Sequence, residues 1–302
     1  MYKLETLTFD NGERYPVLIG EDGMPHFYTT LYVTVKLRSK IVLSTIENKL
    51  KSIRHFFAWE IDNNRDLIHE FEQGLFLSKS DIISIRDHLK INVSAQKKTE
   101  QKKTKFTRKV LNFENQTKVV NVLPSVGKHH HYNRMTDVAE YLDFIATAIN
   151  KYRNDPEVNN AIKKMAKGIN KERPRAVSRG ADNEIDESLL PEGLLDEFMD
   201  IADPENALNP FTNKTVQKRN YLIFRLIKET GIRRGEVLSL KITNLELNGD
   251  KTSIWVSRTH DDKFDPRKRQ PVSKTKERRF PIKNETAELL NSYILSERAE
   301  TP

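Results

Sequence analysis

The chain opens on a period of two. Leu4, Leu7 and Phe9 lead to Asn11-Gly12, and Tyr15, Val17 and Ile19 follow. Asn-Gly between such runs predicts a β-hairpin, because both central positions of its tight turn need positive φ. Leu31, Val33, Val35 and Leu37 keep the period, so residues 1–37 are expected to form a small β-rich leader. The pattern then turns helical. Ser44 with Glu47 three residues on reads as a capping box, and Ile46, Leu50, Ile53 and Phe57 mark one face of a helix running to about Trp59. Ser80 reads as the cap of a second helix carrying Ile82, Ile85 and Leu89. A third is predicted from Thr136 to Lys151, with Val138, Tyr141, Ile145 and Ile149 inward. A fourth, more basic, follows Pro156 with Val158, Ile162 and Met165.

Residues 171–188 hold Pro174, Gly180 and few apolar side chains, which places a domain boundary there. The division is a leader (1–37), a helical domain (38–170), a linker (171–188) and a second domain (189–302). Past the linker, Leu194, Leu195, Phe198 and Ile201 predict a helix from Pro191 to Ala202. Val216, Ile223, Leu226 and Ile227 predict another from Thr215 to Lys228. Ser253–Val256 reads as a strand and Arg279–Ile282 as its returning partner. A last helix, about Glu285 to Leu295, carries Leu289, Leu290 and Ile294. The fold class is mainly α with small β elements, α+β.

Charge narrows the partner. Over 302 residues the formal net charge is +8, with 31% charged and 37% hydrophobic residues, and the pI is about 9.3. That surplus favours a polyanion. The chain has no cysteine, which excludes disulfides, thiolate metal sites and cysteine nucleophiles. No apolar run is long enough for a transmembrane helix, and Met1 to Asp10 lacks a signal peptide's apolar core, so no membrane partner and a cytoplasmic location are expected. Two basic stretches stand out. The first is Lys97 to Lys109, with Lys97, Lys98, Lys102, Lys103, Lys105, Arg108 and Lys109 against Glu100. The second is Lys163, Lys164, Lys167, Lys171, Arg173, Arg175 and Arg179. Each reads as a solvated segment or as a track of phosphate contacts, and both readings stay open. His129-His130-His131, expected on a loop, do not point one way, and no metal is assigned to them.

The segment Thr230-Gly231-Ile232-Arg233-Arg234-Gly235-Glu236-Val237-Leu238-Ser239-Leu240 places two arginines and a glutamate at a glycine turn between helices. It resembles the first arginine box of the tyrosine recombinase (phage integrase) family. Val272-Ser273-Lys274-Thr275-Lys276-Glu277-Arg278-Arg279-Phe280-Pro281-Ile282 is similar to that family's lysine hairpin, and the two boxes stand in the family's order. The resemblance implies a helical core-binding (SAM-like) domain from residues 38–170 and the front of an α+β catalytic domain with a β-hairpin. Residues 1–37 would be a reduced arm-binding module. It implies a tyrosine attacking a DNA phosphate, a 3′-phosphotyrosine intermediate, and stabilisation by fixed cations with no metal or cofactor. Arg233 would bind non-bridging oxygens and Glu236 would orient it. Lys274, or as second choice Lys276, would act as general acid. Arg234, Lys276, Arg278, Arg279, Lys102, Lys103, Lys105, Lys167 and Lys171 would contact DNA. Implied partners are double-stranded DNA, further copies in a tetrameric synapse of the full-length protein, and a host DNA-bending factor.

Two departures shape the expectation. Residues 257–273 make the hairpin longer than the family's usual tight turn. The residues after Pro281 hold no histidine and one tyrosine, Tyr293, in mid-helix, so the His-x-x-Arg box and the nucleophile are unmatched. The chain is therefore expected to be an N-terminal and partial catalytic fragment, monomeric off DNA, that binds DNA without cleaving it. The alternatives are a non-catalytic DNA-binding regulator of recombinase-like fold and a basic structural or RNA-associated protein without site specificity.

Overall fold

A computed structural model describes residues 2–93, 95, 124–153, 155–175, 191–249, 251–257, 262–271 and 276–300. It is mixed α and β, with helices predominating and two small antiparallel sheets. Contacts divide the chain into two units, Met1–Leu7 with Tyr15–Arg179, and Thr8–Arg14 with Gly180–Pro302. Each has its own apolar core.

β1 (Lys3–Thr8) and β2 (Arg14–Ile19) form the expected hairpin, most of whose strand residues belong to the first unit and whose tip, Thr8–Arg14, is grouped with the second. Gly12 takes φ 88° at the turn, and the Asn11 side chain accepts from the Glu13 amide at 2.9 Å. The continuation of that period was misleading. Phe27–Tyr32 form α1, and Val33–Leu37 continue as helix with i→i+5 bonding, the Arg38 amide donating to Val33 O at 2.8 Å. Val33 and Leu37 are buried one turn apart while Val35 is exposed. The alternation was the i,i+4 spacing of a helix face with one exposed valine between.

Helices α2 (Leu43–Asp62), α3 (Leu67–Glu72), α4 (Lys79–Leu89), α5 (Lys128–Ile149) and α6 (Pro156–Lys171) complete the first unit. Ile46, Leu50, Ile53 and Phe57 are buried on α2, and Ile82, Ile85 and Leu89 on α4, as their spacing predicted. The caps fall elsewhere. α2 starts one residue before Ser44, after Val42, which offers no side-chain cap. Ser78, not Ser80, caps α4, in a reciprocal box with Asp81. α5 begins eight residues before the expected Thr136, so the three histidines lie on a helix. His131 is buried, its Nε2 donating to Arg86 O at 2.9 Å. On α6, Asp155 is the N-cap, its Oδ1 accepting the Glu157 amide at 2.8 Å, with Pro156 in the first turn. Lys163, Lys164, Lys167 and Lys171 share one exposed face opposite buried Ile162, Met165 and Ile169.

The second unit packs α7 (Leu194–Ala202) and α10 (Asn284–Leu295) against α8 (Lys214–Thr230). A short helix, α9 (Arg234–Val237), follows α8. The expected hairpin is a three-stranded antiparallel sheet, because β3 (Leu245–Glu246) adds to β4 (Ser253–Val256) and β5 (Arg278–Pro281). Register pairs Val256 with Arg278 and Trp255 with Arg279. Arg225 of α8 bolts α10 in place, its Nε donating to Thr286 Oγ1 at 2.8 Å and its fork pairing with Glu285 at 2.6 Å. Glu229 accepts from Thr286 Oγ1 at 2.7 Å.

Four titrating side chains tie the first unit's stability to pH. His55 and His88 stack with ring centroids 4.6 Å apart, each Nε2 donating to the other's backbone carbonyl at 3.0 Å. Burial holds His55 at about 4 and depresses His88. Burial also holds His26 at about 4; its Nδ1 accepts the Thr29 amide at 3.2 Å, which caps α1 only while unprotonated. Burial instead raises Glu60 to about 8. Below pH 6.5 the unfolded chain takes up histidine protons that the fold refuses, so stability falls as pH drops toward 4. Glu60 acts oppositely, since the fold keeps a proton that the unfolded chain releases, and stability falls as pH rises toward 8. The melting temperature should therefore peak near pH 6.5, and Glu60→Gln should flatten the alkaline limb. Calorimetry showing stability still climbing at pH 8 contradicts this assignment.

Candidate functional site

The arginine turn is built by local backbone chemistry. α8 ends at Gly231, which takes φ 64°, the left-handed conformation that glycine adopts without strain, and its amide donates to Ile227 O at 2.9 Å. The Ile232 amide donates to Thr230 Oγ1 at 3.2 Å, and Ile232 is buried as the apolar anchor. Arg233 is then the cap residue of α9, with extended backbone. Its guanidinium has no acceptor atom and cannot cap the helix itself. Glu236, three residues on, reaches back instead: Oε2 accepts the Arg233 amide at 2.9 Å.

Glu236 is a carboxylate side chain only 1% exposed. Such a group needs charge compensation and hydrogen bonds. It has both. Arg278 of β5 donates Nη2 to Oε2 at 2.8 Å, and Arg233 brings Nη1 to 3.5 Å from Oε1. The two arginines differ in what remains. The Arg278 side chain is 31% exposed and its guanidinium also lies 4.9 Å from the Phe280 ring. The Arg233 side chain is 61% exposed and, among the described residues, makes the longer ion contact to Glu236. Arg233 is thus anchored at its backbone and open at its tip, where paired donors can meet an anion's oxygens.

The remaining candidates separate. Arg278 and Arg279 are adjacent on a strand and face opposite ways, so one phosphate cannot take both. Arg279 belongs to a cluster on the other face, with Nε donating to Ser253 Oγ at 2.7 Å. It also pairs with Glu246 and lies 5.7 Å from the Trp255 ring. Arg234 is exposed on the first turn of α9, and Lys276 is exposed just before β5. Lys274, Lys102, Lys103 and Lys105 lie outside the described residues. Lys167 and Lys171 belong to the basic face of α6 in the first unit. Arg173, grouped with them in sequence, is committed to structure. It donates to Asn170 O at 2.9 Å and Thr136 Oγ1 at 3.0 Å, and stacks on Tyr132 at 4.5 Å. Among the described residues no group of three or more His, Asp or Glu is placed to hold a metal ion, and no helix is long and apolar enough to cross a membrane.

No family model matches the chain, and neither a curated protein nor a solved structure matches it. The functional reading therefore rests on the residues and their geometry.

The left-handed cap makes a direct prediction. A Cβ at Gly231 would meet no atom within 4 Å, so substitution there strains the backbone alone. Gly231→Ala should destabilise the chain by about 1 kcal/mol, and Gly231→Val by more because its branched side chain opposes positive φ. Gly231→Asn should be milder, since asparagine tolerates that region. Equal denaturant midpoints for all three variants contradict the cap.

Proposed function

We propose that this chain binds double-stranded DNA through phosphate contacts of the tyrosine recombinase type, with Arg233 as the phosphate clamp of the second unit. The observation that carries the reading is the exposed Arg233 fork, held at its base by the buried Glu236 carboxylate at a turn between helices. The motif order supports it, with the arginine turn preceding a basic strand that ends in Pro281-Ile282. So does the one-sided basic face of α6, since neutralising a phosphate track needs clustered cations. In a strand-transfer reaction Arg233 would stabilise negative charge on the non-bridging oxygens. Lys274 or Lys276 would protonate the leaving 5′-oxygen. Both lysines share the parity of Arg278 in an extended run, so strand period alone does not choose between them.

A non-cleaving reading of these 302 residues has its own support. Tyr293 is half-buried on α10 and packs against the core of the second unit, which is no place for a nucleophile. The Tyr221 hydroxyl meets the Arg225 fork at 3.3 Å. The function proposed for the chain as it stands is DNA binding at a site of recombinase type, with strand exchange requiring a tyrosine from elsewhere.

Arg233→Ala should weaken duplex binding by about tenfold and lower the salt slope of log K by about one. Arg279→Ala should leave that slope nearer the parent value. A nicked suicide duplex should yield no covalent adduct with this chain. Unchanged affinity and slope in Arg233→Ala refute the clamp, and an adduct mapped to Tyr293 refutes the non-cleaving assignment.

A further inference from the structure

We infer that Phe264 is an apolar wedge that enters the minor groove of duplex DNA and kinks it at the step it enters. The inference rests on the DNA-binding reading and adds a contact of different chemistry, apolar instead of ionic. Phe264 stands in the excursion between β4 and β5, of which residues 262–271 are described. Phenylalanine is among the side chains most often buried. This one is 81% exposed. Its neighbours in sequence are Lys263, Arg267, Lys268 and Arg269 against Asp262 and Asp265. Both aspartates are engaged within the second unit, Asp262 by Lys241 and Asp265 by Arg267. The Lys263 ammonium lies 4.9 Å from the Phe264 ring, so a positive charge accompanies the apolar tip. An apolar side chain set among cations matches duplex DNA, whose anionic backbones flank a groove floored by stacked bases.

The loop beneath Phe264 separates it from an incidental exposed side chain. Gln270 closes the neck, its Oε1 accepting the Asp262 amide at 3.1 Å and its Nε2 donating to Asp262 O at 2.5 Å. Asp262 Oδ1 accepts the Phe264 amide at 3.0 Å and Asp265 Oδ1 accepts the Arg267 amide at 3.0 Å, two side-chain turns that fix the tip. Arg14, grouped with the second unit and 6% exposed, donates to three carbonyls of the loop, those of Asp262, Asp265 and Arg267. Arg267 Nη1 donates to Leu238 O at 3.1 Å, and Leu238 is the C-cap of α9, whose N-cap is Arg233. Wedge and clamp therefore stand on one support. Because the loop is held before DNA arrives, little of the gain from burying the ring is offset by ordering it.

The test uses the full chain and a duplex labelled at both ends for energy transfer, with 2-aminopurine at a single TA step between stiffer flanks. TA steps unstack easily, so a wedge is drawn to them. The parent protein should bring the duplex ends together, as a kink of roughly 20–90° does, and raise 2-aminopurine emission. Phe264→Ala should abolish both signals and weaken binding by about tenfold. Its salt slope should stay at the parent value, since no phosphate contact is removed. Phe264→Leu, which keeps an apolar wedge, should retain most of the bend. Phe264 is exposed, so both variants should keep the parent's melting temperature. Arg233→Ala should lose affinity and salt slope yet still bend DNA at saturating protein, so clamp and wedge fail separately. A parent that binds duplex without bending or unstacking it overturns the wedge and leaves the clamp standing. So does a Phe264→Ala protein that bends DNA as the parent does. If that variant instead loses a concentration-dependent dimer seen by sedimentation, Phe264 meets a second copy of the chain and the wedge is overturned. No duplex binding by the parent overturns wedge and clamp together.

Discussion

One buried carboxylate organises the second unit. Glu236 sits on a four-residue helix, and a helix that short has almost no stability of its own. What holds it is tertiary. The carboxylate reaches back to the Arg233 amide, and Arg278 crosses from β5 to meet the same oxygen. Val237 and Ile232 anchor the flanks in the apolar core. Remove the charge pair and the turn loses both its cap and its tie to the sheet. Breaking a buried pair from one side costs several times what an exposed pair contributes, about 3–5 kcal/mol against 0–1 kcal/mol.

The same economy explains why the site can be chemically useful. A phosphate clamp needs a cation that is fixed but not satisfied. Fixing it with a carboxylate tends to satisfy it. The structure separates the two functions between arginines: Arg278 takes the hydrogen bond and Arg233 takes the exposure. Gly231 allows the chain to leave α8 at the angle that makes this division geometrically available.

Much of this was legible in residue patterns, and the failures have identifiable physics. Long amphipathic faces such as Ile46, Leu50, Ile53 and Phe57 declared their helix because burial of a stripe dominates its stability. The start of α5 did not, because Lys128 to Arg134 are polar apart from Tyr132, and of them only His131, satisfied by Arg86 O, is buried. Val33 to Leu37 misled because a period of two and an i,i+4 pair coincide over five residues. Ser44 and Ser80 misled because capping patterns recur near true caps, and the backbone decides which is used. At the site, Arg233 and Glu236 were visible as a local motif, three residues apart. The role of Arg278 was not, since it depends on a pairing between elements 42 residues apart. The opposite facing of Arg278 and Arg279 was available from strand period and needed only the strand's bounds.

The central claim is that the Arg233 guanidinium meets a DNA phosphate. The most direct measurement is an NMR titration of the arginine side-chain Nε–H resonances with duplex DNA, assigned by substitution. The account predicts that the Arg233 resonance shifts and sharpens as DNA is added, while that of Arg278 changes little because its partner stays Glu236. A titration that saturates with Arg233 unmoved, or with Arg278 moving in its place, contradicts the claim.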